Sequence, residues 1–446
     1  MTSEGRPAAE RPHALFVGLP FPPSRTGGVN RALATANGLA AAGFDVTVLT
    51  VDREFFRRNK GVDEQLETLI DPSITVVRVP LSLPRQEWNL RRWSRARVYS
   101  PTAWLERRTR RTAQVFPEAN YSEWADDLVA AAFRVHRARK VDVTVATVNP
   151  NVDAYAAYRL HEKHAVPFVV DQRDAWTLNQ FDGTRALAED SDEARWERRI
   201  FEAAAEVWFV NDAMRAWHAA TYPTVAPRMR VVMNGWDDGL VRPAPPRTGD
   251  APLRFGYIGT LVPPVPLQEL LDGWHSAVAD PALDDAVVDI RGHLGFHPVP
   301  NAEMVEQLRA AAPDRVSYGG PVAKAAVADT YAGMDALLMI IQGGPYVTTA
   351  KVFEYVATGL PVVSVHAPDA GCVEVLRDYP QWFPAASMEP ADVADALCRA
   401  ARSIRGSGSA ERDACVAHAE RFRRDRQLAP ALAAVRRIAG LAEVSP

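Results

Sequence analysis

Short apolar runs rich in valine alternate along this chain with segments of helical periodicity, and the alternation runs through twice. The first round opens with the strand HALFV (His13 to Val17). The loop GLPFPPSRTGG and the helix VNRALATANGLAAAG, closed by Gly43, lead into a second strand, FDVTVLTV. Further along come an amphipathic helix over Tyr121 to Arg139, the strand VDVTVATV, a helix over Val152 to His164 and the strand VPFVVD, which ends at Asp171. A long helix then runs into VWFV, and MRVVMNG closes the round. The second round reads LRFGYIGTL, the helix LQELLDGWHSAV, then the strands AVVDIRGHLG, RVSYGGPV and DALLMII. It ends with AKVFEYVATG as helix, PVVSV as strand and two helical stretches. Strand, crossover helix and strand in this repeated order predict α/β architecture with parallel sheets.

At 446 residues the chain exceeds one ordinary core and suits two domains. The proline-rich run VRPAPPRTGDAPL is the expected hinge. The expected layout is a disordered tail over 1–12, an N-terminal domain over 13–240, a linker over 241–253, a second domain over 254–420 and a last helix over 421–446. A hydrophobic share of 47% and a charged share of 24% describe a soluble globular protein, and a net charge of -4 gives no overall attraction to nucleic acid. No apolar run has the length of a membrane span and the first residues lack a signal-peptide core, so a cytoplasmic protein is expected. Cys372, Cys398 and Cys415 have no paired spacing for zinc or a redox disulfide and read as reduced structural thiols.

Between Arg85 and Arg111 nine arginines are interleaved with Trp88, Trp93 and Trp104 against only Glu87 and Glu106. Two readings stand: a solvated helical excursion with its tryptophans packed inward, or a surface for an anionic membrane or a phosphorylated acceptor. Gly27 and Gly28 lie at a helix start, where backbone N–H groups approach a ligand closely, although the loop lacks the dinucleotide fingerprint. The loop DQRDAW gathers Asp171, Arg173 and Asp174 at the end of an apolar strand, where charges need each other or a ligand. The acidic DSD at 190–192 is better explained by helix capping than by a metal, and no metal or other cofactor is expected.

The richest stretch is TTAKVFEYVATGLPVVSV, from Thr348 to Val365. With Val352, Tyr355 and Val356 facing a core, Lys351 and Glu354 share the amino-terminal end of the helix. Such a pair is either a solvated ion pair or a phosphate and ribose clamp, because a cation at a helix start opposes the dipole unless an anion is bound. Only five of the 51 basic residues are lysines.

The run AKVFEYVATGLPVV resembles the nucleotide-sugar motif of retaining glycosyltransferases with the GT-B fold, in particular glycosyltransferase family 4, and DQRDAW resembles the D-x-R-D-x-W loop of its bacterial members. The resemblance implies two facing Rossmann-like domains with parallel sheets and an interdomain cleft, the first domain taking the acceptor and the second the donor. It implies metal-independent transfer from a nucleotide-diphosphate sugar to a hydroxyl acceptor, with retention of configuration. Lys351 would contact the diphosphate and Glu354 the ribose, after the polar turn Thr348 and Thr349. Gly27 and Gly28 would close over the donor. Gly320, Pro321 and Val322 would hold the base through backbone groups, and Asp171 or Asp174, with Arg173, would orient the acceptor. The sequence departs from the pattern at Tyr346, where relatives have a glutamate. It departs again at Gly259 and Thr260, a loop where relatives place an arginine and a lysine; Arg291 and His293 are the nearby replacements. The acceptor is a small molecule or a glycan, and a lipid-linked one would suit the basic segment; nucleic acid is not an expected partner. Two alternatives remain: a pseudo-glycosyltransferase or nucleotide-sugar epimerase on the same fold, and a non-catalytic nucleotide-binding or partner subunit.

Overall fold

A computed structural model describes residues 11–59, 61–247, 249, 251–295, 299–323, 326–406 and 408–441. Of the expected tail, residues 1–10 lie outside the described residues. The chain forms two compact units, the first holding 1–179, 184–232 and 428–446, the second 180–183 and 233–427.

The first unit is built on seven parallel strands: β1 (His13–Val17), β2 (Asp45–Val51), β3 (Thr75–Val79), β4 (Val143–Thr147), β5 (Phe168–Gln172), β6 (Glu206–Phe209) and β7 (Met229–Val231). Their order, β3-β2-β1-β4-β5-β6-β7, reverses direction between β1 and β4. β1, β4 and β5 are buried along their whole length, as strands covered on both faces by crossover helices must be. One helical layer comes from Val29–Ala41, whose Ala32, Ala36 and Leu39 pack with Phe16, Val48 and Trp208. Leu428, Ala431 and Val435 of the last helix, Arg424–Ile438, join that same cluster. Gly38 leaves room for this: a Cβ there would sit 2.7 Å from Leu432 Cδ1.

A buried ion pair ties this layer to the sheet. Arg31, on Val29–Ala41, and Asp171, on β5, are 2% and 1% exposed. Arg31 Nη2 donates to Asp171 Oδ1 at 2.6 Å and Nε to Oδ2 at 2.8 Å, while Thr147 Oγ1 donates to Oδ2 at 2.9 Å.

The second unit repeats the pattern with β8 (Arg254–Ile258), β9 (Val287–Arg291), β10 (Val316–Tyr318), β11 (Ala336–Ile340), β12 (Val362–Val365) and β13 (Trp382–Pro384), ordered β10-β9-β8-β11-β12-β13 and all parallel. Side-chain alternation divides its core in two. Ala336, Leu338 and Ile340 face a cluster with Trp274, whereas Leu337, Met339 and Ile341 face another with Phe353 and Tyr355. Both sheets thus have the strand order of a doubly wound nucleotide-binding fold, with switch points at β1/β4 and β8/β11.

The run 241–253, expected as an exposed hinge, differs from that expectation. Val241, Ala244 and Leu253 are buried, and Ala244 N–H donates to Thr358 O at 2.8 Å. The units divide earlier, between Val232 and Met233, because Trp236, five residues past β7, already packs in the second core. The basic segment forms the helices Arg95–Tyr99 and Pro101–Ala113, the second without a buried residue. Among the described residues no helix is long and apolar enough to cross a membrane.

Removing one member of a buried ion pair leaves the other uncompensated, at a cost of about 3–5 kcal/mol. Asp171→Ala is therefore expected to lower the unfolding free energy by about that amount in urea titration, with Arg31→Met/Asp171→Leu recovering much of it. A loss under about 1 kcal/mol for the single change would deny the pair its anchoring role.

Candidate functional site

The second unit gathers the motif residues at the carboxyl ends of β8 and β9 and the start of the helix Ala350–Thr358. Gly259 and Gly292 follow the two strands at φ +145° and +139°, a backbone conformation that L side chains rarely adopt. A Cβ on Gly292 would lie 1.8 Å from the carbonyl oxygen of Gly259, so the two loops approach backbone to backbone. Gly259 N–H donates to Arg291 O at 2.9 Å, Leu261 N–H to His293 O at 2.9 Å and Gly292 N–H to Gly320 O at 2.8 Å. The loops after β8, β9 and β10 are thereby laced together.

Lys351 reaches into this lacing. Its ammonium donates to Tyr257 Oη, stands 4.5 Å from the centre of the Tyr257 ring and lies 3.4 Å from Thr260 O. Tyr257 Oη in turn donates to Thr260 O at 3.1 Å. The stem of Lys351 fills the space above Gly259, where a Cβ would lie 2.8 Å from Cδ. Among the described residues no carboxylate comes within ion-pair distance. Burial lowers the ammonium to about 8, against a smaller opposing pull from Glu354. The residue's surface is nonetheless only partly covered, so the head is desolvated by its neighbours yet open on one side. Thr349 caps the helix by accepting from Lys351 N–H at 3.4 Å, and Thr348 is buried with Oγ1 3.5 Å from Gly371 O. Glu354, one turn along, accepts from Tyr331 Oη at 2.9 Å and remains half-buried. Val352, Phe353, Tyr355 and Val356 are wholly buried, which fixes the face on which Lys351 and Glu354 stand.

The other donor-side candidates divide. Gly320 (φ +73°) offers its carbonyl to Gly292, with exposed Pro321 and half-buried Val322 following. Arg291, expected as a replacement cation, is committed elsewhere: Nε and Nη2 donate to the two oxygens of buried Asp289 at 2.7 and 3.0 Å, and the guanidinium rests on Gly319. A carboxylate two residues away on the same face of the strand captures it. The side chain of His293 is exposed. Tyr346, at the place of the relatives' glutamate, lies against Gly183, whose Cβ would be 2.7 Å from its ring.

In the first unit Gly28 caps Val29–Ala41, and the guanidinium of Arg173 lies over it, Nη1 occupying the space of a Cβ. Arg173 Nη2 and Asn149 Nδ2 donate to Asp174 Oδ2 at 3.0 and 3.1 Å. Arg173 Nε is buried without a partner among the described residues. Gly27 is exposed, with open space where a Cβ would be. The expectation that either aspartate could touch an acceptor is corrected for Asp171, which is sealed in the Arg31 pair and acts by positioning the strand end. Asp174, 39% exposed, remains available. The aspartates of the DSD stretch flank Ser191, which caps Asp192–Ala203, and Asp192 pairs with Arg195.

Two acids escaped the sequence reading. Glu118 accepts from Asn151 N–H at 2.7 Å and Val152 N–H at 2.8 Å, capping the helix Val152–His164, and burial raises its carboxyl to about 7. Asp153, fully buried in that helix's first turn, accepts from Leu19 N–H at 2.9 Å, and burial raises it well above the usual carboxylate range. NPNVD, following a strand, offered a signal for Asp153; nothing around PEAN pointed to Glu118.

Residues 26–235 match the family model for the glycosyl transferase 4-like domain and residues 252–403 that for glycosyl transferases group 1. Among curated proteins, none matches the sequence. Solved structures share the fold. Sucrose-phosphate synthase from Thermosynechococcus elongatus is 15% identical with a TM-score of 0.63, covering 96% of this chain and 100% of its own. HepE from Anabaena, solved in complex with UDP, is 14% identical with a TM-score of 0.62, covering 95% and 100%. A UDP-N-acetylglucosamine 2-epimerase is 11% identical with a TM-score of 0.53, covering 98% and 99%.

Two glycine substitutions separate stability from function. Gly292→Ala meets backbone and a strained φ, and is expected to cost about 2 kcal/mol or more in chemical denaturation. Gly28→Ala displaces only the movable end of Arg173 and should leave the melting temperature within a degree or two of the parent, about 0.5 kcal/mol, while lowering kcat/KM. Equal destabilisation by both would refute the assigned packing.

The raised carboxyl of Glu118 stabilises the fold fully below its unfolded pKa near 4.5, and that contribution is lost as pH rises through about 7. The melting temperature of Glu118→Gln minus that of the parent should therefore increase from pH 5 to pH 8, by an amount worth about 2 kcal/mol. A pH-independent difference would refute the shift.

Proposed function

Because this chain belongs to the glycosyltransferase 4-like family, we propose that it moves a sugar from a nucleoside-diphosphate sugar to a hydroxyl acceptor, with retention at the anomeric carbon and without a metal ion. The observation that carries the reading is the ammonium of Lys351, desolvated on Tyr257 at the start of a capped helix, with Glu354 one turn beyond. That HepE was solved with UDP favours a uridine nucleotide as the first donor to try.

When the bond between the anomeric carbon and the diphosphate oxygen breaks, negative charge gathers on the leaving phosphate. The ammonium of Lys351 and the N–H groups at the helix start stabilise it, an electrostatic role. Glu354 accepts from the ribose diol, its carboxylate held by Tyr331. In the first unit Asp174, fixed by Arg173 and Asn149, orients the acceptor hydroxyl. The acceptor oxygen enters on the face the phosphate leaves, forming the new bond to the anomeric carbon, and its proton passes to the departing phosphate.

An epimerase shares the fold, and product analysis with labelled donor separates the classes: conversion of the donor without acceptor would replace transfer by epimerisation. A coupled product made of two non-sugar rings would indicate a pseudo-glycosyltransferase.

Lys351 is charged below about 8 when free, so affinity for a nucleoside diphosphate is lost as pH rises above that value, about fivefold between pH 8 and 9 if only the charged form binds. Calorimetric titration with UDP from pH 6.5 to 9.5 should show this, while uridine should show none of it. Lys351→Ala should lower kcat by about 100-fold or more. If no nucleoside diphosphate raises the melting temperature at any pH, and Lys351→Ala changes nothing, the chain is a non-catalytic subunit.

A further inference from the structure

The basic segment remains unused by the reading above, and its structure inverts the usual arrangement of a small core. At its centre is a cation. Arg97, 5% exposed, lays its guanidinium 3.9 Å from the centre of the Trp93 ring and 5.3 Å from that of Trp104. It donates to Pro84 O at 2.6 Å and to Glu87 O at 3.1 Å, and Trp93 Nε1 donates to Glu87 O at 2.8 Å. Two of the three tryptophans are thus spent on this centre.

The large apolar side chains next to it face outward. Trp88 is 81% exposed and Tyr99 87%, with Leu90 at 65% and Val98 at 55%. Trp88 adjoins Glu87 and Val98 adjoins Arg97, whose guanidinium donates to Glu87 O at 3.1 Å, so the exposed side chains are carried on backbone that this centre holds together. On the same segment Arg85, Arg91, Arg95, Arg107, Arg110 and Arg111 enter no ion pair among the described residues; Arg92 shares Glu87, and Arg108 pairs with Glu123. Such a patch, amphipathic aromatics set among unneutralised cations, matches the interface of an anionic bilayer, where indole and phenol rings sit at headgroup depth and arginines meet lipid phosphates. A solvated excursion would have no reason to turn Trp88 and Tyr99 out while burying an arginine.

We infer that residues 84–113 dock the first unit on an anionic lipid surface, with Trp88, Leu90, Val98 and Tyr99 entering the headgroup layer and the free arginines contacting phosphates. This does not rest on the sugar-transfer reading. The test is co-sedimentation of the full chain with vesicles of phosphatidylcholine alone or mixed with phosphatidylglycerol. Expected are binding to the mixed vesicles only, weakened by added salt, and a blue shift of tryptophan fluorescence that Trp88→Phe diminishes. Arg91→Gln/Arg95→Gln/Arg110→Gln should weaken partitioning by about a hundredfold, each arginine near an anionic surface adding roughly fivefold. Trp88→Ser/Tyr99→Ser should weaken it at unchanged charge. All these side chains are exposed, so unfolding is not expected, and an unchanged melting temperature verifies it. Folded protein that ignores the mixed vesicles overturns the proposal, as does equal binding by parent and variants. Retention of single-stranded RNA without vesicle binding would make the patch a nucleic-acid surface instead.

Discussion

The backbone approach of Gly292 to Gly259 is the constraint on which the second unit's chemistry depends. A side chain on Gly292 would force the loops after β8 and β9 apart, and the stem of Lys351 would lose the flat floor above Gly259 that leads its ammonium to Tyr257. Because both glycines hold positive φ, the loops turn immediately at the strand ends. The position of one cation thus follows from two absent side chains, and these follow from where the strand order reverses.

The first unit solves the corresponding problem with charge. Sealing Asp171 against Arg31 and Thr147 satisfies the carboxylate that would otherwise draw the next arginine inward. Arg173 is then left to lie across Gly28 and hold Asp174 from the side. One buried pair, costly in desolvation, sets the register of the helix after β1 against the end of β5, and the exposed charges take their positions from it. The two units therefore share a strand order but fix their loops by different means, glycine contact in one and a buried ion pair in the other.

Much of this was legible in the sequence, and what was not has identifiable causes. The strands read clearly because parallel strands covered on both faces are continuous apolar runs. Lys351 and Glu354 were readable because the buried face of their helix leaves them a single direction. Asp171 and Asp174 could not be told apart, since their roles depend on Arg31, 140 residues away. Tyr257 reads as an ordinary strand residue, and only the fold shows its hydroxyl between an ammonium and a carbonyl. Arg291 was offered as a replacement cation because sequence does not show that a strand-end guanidinium will turn back onto the carboxylate two residues before it. The run 241–253 has linker composition, but three apolar side chains among its prolines sufficed to fix it on the second core.

The choice of lysine at 351 in an arginine-rich chain has a physical reason in the same geometry. A guanidinium is planar, forks its donors and stays charged at any ordinary pH. Placed over the Tyr257 ring beneath Thr260 O it would stack flat, as Arg97 does between Trp93 and Trp104, and its donors would spread sideways. An ammonium is compact, donates to the phenol and the carbonyl together, and keeps a third proton for whatever approaches the open side. It also responds to burial, so its charge is held weakly until an anion arrives. An arginine at this position would stay charged and stacked whether or not an anion were present, whereas lysine leaves the strongest interaction to be made by the ligand.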